Sequence, residues 1–461
     1  MQTKLTITKT IFYGLPGLPL AMLGLPLFIY LPSFYSQNLG LSLSAVGLVL
    51  LFARTFDVFT DPLIGSLNDR FPAKQSLSWR RKSYILLGIP LLLVGLNFLL
   101  RPPTEVSSFY LFSWSFITYL GWTLINIPWL AMGAEISQKY HEKSSLASSR
   151  EIFAAIGTIL VISIPVLLSL QSDLRSMLNV LANILTILLP LALIPLILKV
   201  SLNEQSTTRL DNQSKYRLFS KETLSIIQNP AIKKLLPAYF FNSVANALPA
   251  TLFILYVNYV LQVPDQVGIL LISYFLAAIV GIPFWLYLAR KTDKHTSWRY
   301  ALYGSVASFV WVPFIGSGDM IAFLIICIAS GFFLGADVVM PSSIQADISQ
   351  QLSNQTIKKQ YKSDRISNNS THTQNNNENQ NSTALLFGLW GMLTKLSLAL
   401  AIGFAFPILD LAGLQIGEGI ANQQTDTGTY TLILLYAFIP IVLKIGVIVQ
   451  MNNFQFDKNY F

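Results

Sequence analysis

The chain has 461 residues, 53% of them hydrophobic and only 11% charged, with a mean hydropathy of +0.53 and a formal net charge of +9. Soluble domains carry about 25% charged residues, so this composition excludes a soluble enzyme. Apolar stretches of about 20 residues recur throughout, which requires a polytopic helical membrane protein.

Lys4 and Lys9 precede an apolar run in the manner of a signal peptide. No small-residue cleavage site follows and many spans come after, so the run is read as span 1. Twelve spans are expected, near 11–34, 44–67, 83–100, 108–134, 151–170, 177–198, 236–260, 267–289, 300–316, 320–345, 384–408 and 430–451. The basic residues test this count. With both termini and the even-to-odd connections on one side, that side holds nearly every Lys and Arg. They run from Lys4 and Lys9 through Arg80, Arg81 and Lys82 to Lys358, Lys359, Lys362 and Arg365. Lys444 and Lys458 are assigned to the C-terminal end. The opposite side keeps Arg101 and Arg175, and Arg54 and Lys395 stay inside the membrane. Both termini are therefore expected in the cytoplasm, and the positive charge reads as a topology signal rather than a nucleic-acid patch.

The second span, LFARTFDVFTDPLIGSLNDR at 51–70, carries Arg54, Asp57 and Asp61. On a helix these fall at i, i+3 and i+7 and share a face, which Thr60 borders. A charge at the bilayer centre costs at least about 2.5–3.5 kcal/mol, so three on one stripe need partners or a wet cavity. Two carboxylates one turn apart repel, and one takes up a proton unless a cation lies between them. A site that alternately holds and releases a cation meets this condition. An internal Arg54–Asp57 salt bridge that only locks helices is the other reading.

In the fourth span, YLGWTLINIPWLAMGAE places Thr123 and Asn126 on one face, flanked by Trp122 and Trp129. The oxygens of Asp57, Thr60, Asp61 and Thr123 suit a hard monovalent cation. Alternatively, Thr123 and Asn126 make an ordinary interhelical hydrogen bond. Residues 200–235 are polar and divide the chain into an N-terminal six-helix half, 1–199, and a C-terminal half, 236–461. LFIYLPSFYSQNLG is echoed by LFILYVNYVLQVPD, and duplicated halves with a long central loop suit an alternating-access transporter. The second half lacks the acids: Ala277, Ala278 and Gly281 occupy the matching region.

Asp337 lies about two-thirds through the tenth span, and Asp347 reads as an interfacial charge. Residues 351–383 are Asn/Gln/Ser-rich and expected to be disordered. Lys395 sits about twelve residues into the eleventh span, roughly 18 Å deep and too far in to snorkel easily. Asp57, Asp61 or Asp337 is its expected partner, either as a fixed pair or as a cation substitute when the site is empty. Tyr30, Trp122, Trp129 and Trp390 are candidate cavity residues. The lone Cys327 permits no internal disulfide.

Together, ARTFDVFTDPLIG, WRRKSYI at 79–85, NIPWLAMGAEIS, YHEKSSLASSREIFAAIG and the intramembrane Lys395 resemble the glycoside–pentoside–hexuronide cation symporters, relatives of melibiose permease within the major facilitator superfamily. The resemblance covers nearly the whole chain. It implies an all-α fold of twelve helices in two halves, no enzymatic activity, and a bacterial-type inner-membrane location. Asp57, Thr60, Asp61 and Thr123 would hold sodium or a proton, with Lys395, Arg54 and Asp337 as electrostatic partners. Arg150 and Asn126 would join the substrate cavity, and Asp69, Arg70, Arg80, Arg81 and Lys82 a gating loop. The implied activity is cation-coupled symport of a small polar solute such as a sugar or glycoside, by a monomer with no cofactor beyond the coupling ion. Two positions depart from the sugar-transporting pattern: the substrate aspartates are replaced by Ala21 and Asn126. The same superfamily branch includes sodium-dependent lysophospholipid carriers, which supply the alternative. A sensor or scaffold that moves nothing is a third reading, disfavoured by the intact Asp57–Asp61–Lys395 set.

Overall fold

The computed structural model describes residues 6–70, 76–137, 140–170, 173–200, 202, 228–364, 375–414, 416 and 425–452. Every regular element among them is helical, as a chain in lipid requires when it must satisfy its own backbone. The helices are α1 (Ile7–Gln37), α2 (Leu43–Arg70), α3 (Leu77–Leu100), α4 (Ser108–Glu135), α5 (Tyr140–Leu167) and α6 (Leu174–Lys199). After the central segment come α7 (Pro230–Leu261), α8 (Val267–Lys291), α9 (Lys294–Phe309), α10 (Met320–Asp364), α11 (Asn375–Leu411) and α12 (Asp426–Asn452).

Ten of these helices are long and apolar enough to cross a membrane, two short of the expected twelve. The two that fall outside are α4, which has full length at 28 residues but is rich in Ser, Thr, Tyr and Trp, and α9, which has 16 residues. The ninth span, expected at 300–316, begins at Lys294 and stops at Phe309, before a short 3-10 turn at Val312–Phe314. The segment expected to be disordered, 351–383, is helical where described: α10 runs on to Asp364 and α11 starts at Asn375. Most of the central segment, 203–227, lies outside the described residues.

Helix starts follow their capping residues. Ser76, Ser107, Asp173, Asn229 and Thr425 each accept a hydrogen bond from a first-turn backbone N–H. The proline-rich α1 is assembled from shorter pieces, with a wide π turn at Pro26–Tyr30. Phe28 projects from that turn.

Within each half the helices pack closely, α3 on α4 and α8 on α10. Between halves, α2 lies along α11 and α5 meets α8. One end of the bundle carries Arg80, Arg81, Lys294 and Arg299, and is termed the basic end. At the far end, Asn258 of α7 donates to Gln37 of α1 at 3.2 Å, and the Ser44 N–H of α2 donates to Asp410 of α11 at 3.2 Å. The apolar core shows the same asymmetry. It is continuous from the first half into the far end of the second, through Leu252, Leu270, Phe323 and Phe406. At the basic end the second half has its own cluster, around Trp298, Met340 and Met451. Among the described residues, these hydrogen bonds and the shared apolar core join the halves at the far end.

Candidate cation site

The groups singled out on α2 meet those of α4 and α11 midway along the bundle. Lys395 Nζ lies 2.8 Å from Asp57 Oδ2 and 2.6 Å from Asp61 Oδ2, so one ammonium bridges both carboxylates. Thr123 Oγ1 lies 2.8 Å from Asp57 Oδ1 and 3.0 Å from Asp61 Oδ1, and its single proton can serve only one of them at a time. The carboxylates are thus clamped on one side by a cation and on the other by a hydroxyl. Asp57 and Thr123 are almost fully buried at 5% and 2% exposure, whereas the Asp61 and Lys395 side chains retain 23% and 25%. The Asp61–Lys395 side is therefore the more exposed side of the cluster.

Two carboxylates and a hydroxyl form an oxygen donor set of the kind a hard monovalent cation prefers, with the Lys395 ammonium between the two carboxylates. Among the described residues no group of three or more His, Cys, Asp or Glu could hold a metal ion.

Other expected site residues take different places. The Thr60 hydroxyl donates to the Asp57 carbonyl at 3.1 Å, back-bonding to its own helix rather than turning to the carboxylates. Arg54 forms no ion pair with Asp57. Its guanidinium carbon stands 3.9 Å from the Phe28 ring centre and 4.4 Å from that of Tyr119. Asp337 does not pair with Lys395. It pairs with Lys444 at 2.9 Å, inside the second half, and accepts from Trp298 Nε1 at 2.7 Å and Asn246 Nδ2 at 3.1 Å. Lys444, assigned from sequence to the C-terminal end, is 6% exposed within α12 and also donates to Asn242.

Of the cavity residues, Trp129 is locked into the α1–α4 contact, its Nε1 donating to the Tyr13 carbonyl at 2.8 Å. Tyr30 is 2% exposed, in the core. Trp122 stacks on Phe28 at 6.1 Å, and Trp390 stacks on Tyr239 at 3.5 Å. Tyr239 in turn hydrogen-bonds Thr394, the neighbour of Lys395, at 2.7 Å. Asn126 is half-buried on α4. Arg150 pairs with its neighbour Glu151 at 2.7 Å.

In the expected gating region, Arg81 reaches Glu135 of α4 at 2.5 Å and also Asn68 of α2, tying three helix ends together. The Arg80 carbonyl accepts from Asn68 Nδ2 at 3.4 Å, and Lys82 is half-buried on α3. Asp69 and Arg70 end α2, with side chains outside the described residues, as is the connection 71–75.

Sequence reasoning missed Phe28, Tyr119, Tyr239 and Lys444. Tyr119 lies one turn before Thr123 on the same face of α4, a spacing that was available. Lys444 sits within the apolar run IPIVLKIGVIVQM, so its depth was legible too. Phe28 and Tyr239 carry no signal beyond being aromatic.

Comparison with known proteins places these features. The family model described as "MFS/sugar transport protein" matches residues 12–357 and 375–458. The sodium-dependent lysophosphatidylcholine symporter 1-A of Danio rerio is 22% identical over 98% of this chain and 86% of its own length. A putative glycoside/cation symporter of Escherichia coli, YagG, is 28% identical over 35% of each chain. The crystal structure of the nucleoside transporter NupG superposes with a TM-score of 0.64 at 12% identity, covering 98% of this chain and all (100%) of that one.

Proposed function

The chain belongs to the MFS/sugar transport family, and it is a multi-pass membrane transporter rather than an enzyme. From that premise we propose that it couples a monovalent cation, sodium or a proton, to the symport of a small polar solute such as a glycoside. The observation that carries this reading is the ammonium of Lys395 bridging Asp57 and Asp61, with Thr123 on their other oxygens.

The mechanism follows from charge balance. Two carboxylates in a low-dielectric interior are stable only with positive charge between them. Lys395 supplies it when the site is empty. An arriving cation takes over the carboxylate oxygens and frees the lysine on α11, altering the contact between α2 and α11, which belong to different halves. Site occupancy is thereby linked to the arrangement of the halves, as alternating access requires. In this reading the basic end faces the cytoplasm of a bacterial-type inner membrane, both termini are on that side, and the protein works as a monomer. The excess of Lys and Arg at that end supports the orientation.

A second reading keeps the fold and the cation but changes the cargo to an amphipathic lysolipid. Ala21 and Asn126 stand where sugar-transporting relatives carry acids, and the similarity to lysophosphatidylcholine symporters runs the full chain. Uptake of labelled glycosides and labelled lysolipids into proteoliposomes, each with and without a sodium or proton gradient, separates the two. Asp57→Asn or Asp61→Asn should abolish gradient-driven accumulation in a protein that still inserts and folds. Accumulation at the wild-type level in either variant would remove the cation assignment.

A further inference from the structure

Lys395 bridges the two carboxylates from a stretch of α11 that is poorly covered. No residue from Gly388 to Leu396 is buried, whereas Ser397, Ala399 and Ala401 just beyond are at most 1% exposed. Gly388, Gly391 and Lys395 fall at i, i+3 and i+7 and share a helix face. A Cβ at either glycine would meet nothing within 4 Å among the described residues, so that face offers the lysine no packed wall.

The neighbouring face is clasped by α7. Trp390 and Thr394 lie one turn apart there. The Trp390 ring stacks on Tyr239 with centroids 3.5 Å apart, and the Tyr239 and Thr394 hydroxyls meet at 2.7 Å. The Thr394 hydroxyl donates to the Trp390 carbonyl at 3.0 Å. A hydroxyl has one proton, so Tyr239 is the donor in the bond it shares with Thr394. Thr394 is the residue next to Lys395, and an ammonium held at 2.8 and 2.6 Å from two carboxylates needs its backbone fixed to within about 0.5 Å.

We propose that Tyr239 is a positioning residue for the coupling lysine: its hydrogen bond to Thr394 fixes α11 where Lys395 reaches both Asp57 and Asp61. This rests on the symport reading and adds to it the group that sets how strongly the lysine competes with the cation. A contact alters cation affinity only if it differs between the empty and the occupied site. Tyr239 supports the lysine bridge of the empty site, so its loss weakens the competitor and the cation binds more tightly. A contact that only held the fold together would leave affinity unchanged, and one that only shaped the solute cavity would have no effect without solute.

The test measures sodium binding to the purified full-length chain by calorimetry, with no solute present. If sodium does not bind, proton uptake at Asp57 and Asp61 is followed instead by the carboxyl infrared band. Tyr239→Phe keeps the ring stack and loses the hydroxyl; it should bind the cation about threefold or more tighter, the worth of one net hydrogen bond. Thr394→Val should do the same, and the double variant should bind no tighter than either single, because both sever the same bond. Thr394→Ser should match the wild type. In a Lys395→Ala background, Tyr239→Phe should change nothing. Unchanged or weaker binding in Tyr239→Phe, or an equal gain without the lysine, would overturn the proposal. If Tyr239→Phe does not fold, Thr394→Val against Thr394→Ser decides. A wild type that binds neither sodium nor protons at the two aspartates removes the symport reading itself, and this proposal with it.

Discussion

At the scale of single residues, Thr123 completes the candidate cation site, because its hydroxyl touches both carboxylates from α4. Removing that oxygen takes away one ligand and leaves Asp57 Oδ1 less well satisfied. Thr123→Val should lower cation affinity by about tenfold, the worth of one hydrogen bond or ligand contact near a charge. Thr123→Ser should retain most of it. Cation-induced thermal stabilisation of the purified variants is the readout, and an unchanged response in Thr123→Val would exclude the hydroxyl as a ligand. The face shared by Arg54, Asp57 and Asp61 was legible from spacing alone, because any helix puts i, i+3 and i+7 together. The choice of partner was not. Thr60 borders that face yet satisfies its hydroxyl on its own backbone, and face-counting cannot tell the two outcomes apart. Nor could it tell that Arg54 would turn to aromatic rings instead of Asp57.

At the scale of elements, the second half has its own buried ion pair, joining α10 to α12 through Asp337 and Lys444. Asn246 of α7 and Trp298 of α9 satisfy the carboxylate, and the lysine donates to Asn242 of α7. This pair lies within one half, so it is expected to hold that half together rather than take part in coupling. Lys444→Ala leaves a buried carboxylate uncompensated and should destabilise by about 3–5 kcal/mol. The double variant Asp337→Asn, Lys444→Met should recover much of that loss while cation stabilisation stays unchanged. Thermal unfolding in detergent reads the first effect, and a double variant no better than the single would show that the pair does more than balance charge. The boundaries of most helices were legible from apolar length and caps. Lys444 was misplaced because the charge rule was applied to a residue inside a span. The length of α10 was hidden because a polar tail reads as loop until it is seen to continue a formed helix, where propagation is cheap.

At the scale of the whole molecule, the halves meet at the far end through glycines that let α2 and α11 approach. A Cβ on Gly47 would stand 2.7 Å from Phe406 Cβ, and one on Gly403 would stand 2.6 Å from Leu51 Cβ. Gly47→Val should therefore wedge the far end open. In cells carrying Ser44→Cys, an impermeant thiol reagent should then label that position several-fold faster, and the buried native Cys327 should contribute little background. Labelling no faster than in Gly47 protein would contradict the closed far end, and labelling only after cell lysis would reverse the proposed orientation. The division into two halves was visible in sequence as a repeat. Which end was closed was not, because contacts such as Gln37–Asn258 depend on side chains more than 200 residues apart.

The central claim is that Lys395 and the coupling cation replace one another between Asp57 and Asp61. It is tested most directly by comparing two transport modes of Lys395→Ala in proteoliposomes. Exchange of labelled for unlabelled solute cycles only the loaded carrier, in which the cation itself balances the carboxylates. Net uptake needs the empty carrier to return, and without the lysine two buried carboxylates must make that passage with no cation between them. The account predicts that exchange survives while net cation-driven accumulation falls by about tenfold or more, the effect of a barrier raised by only ~1.4 kcal/mol or above. A folded Lys395→Ala protein that accumulates solute at the wild-type rate would contradict it.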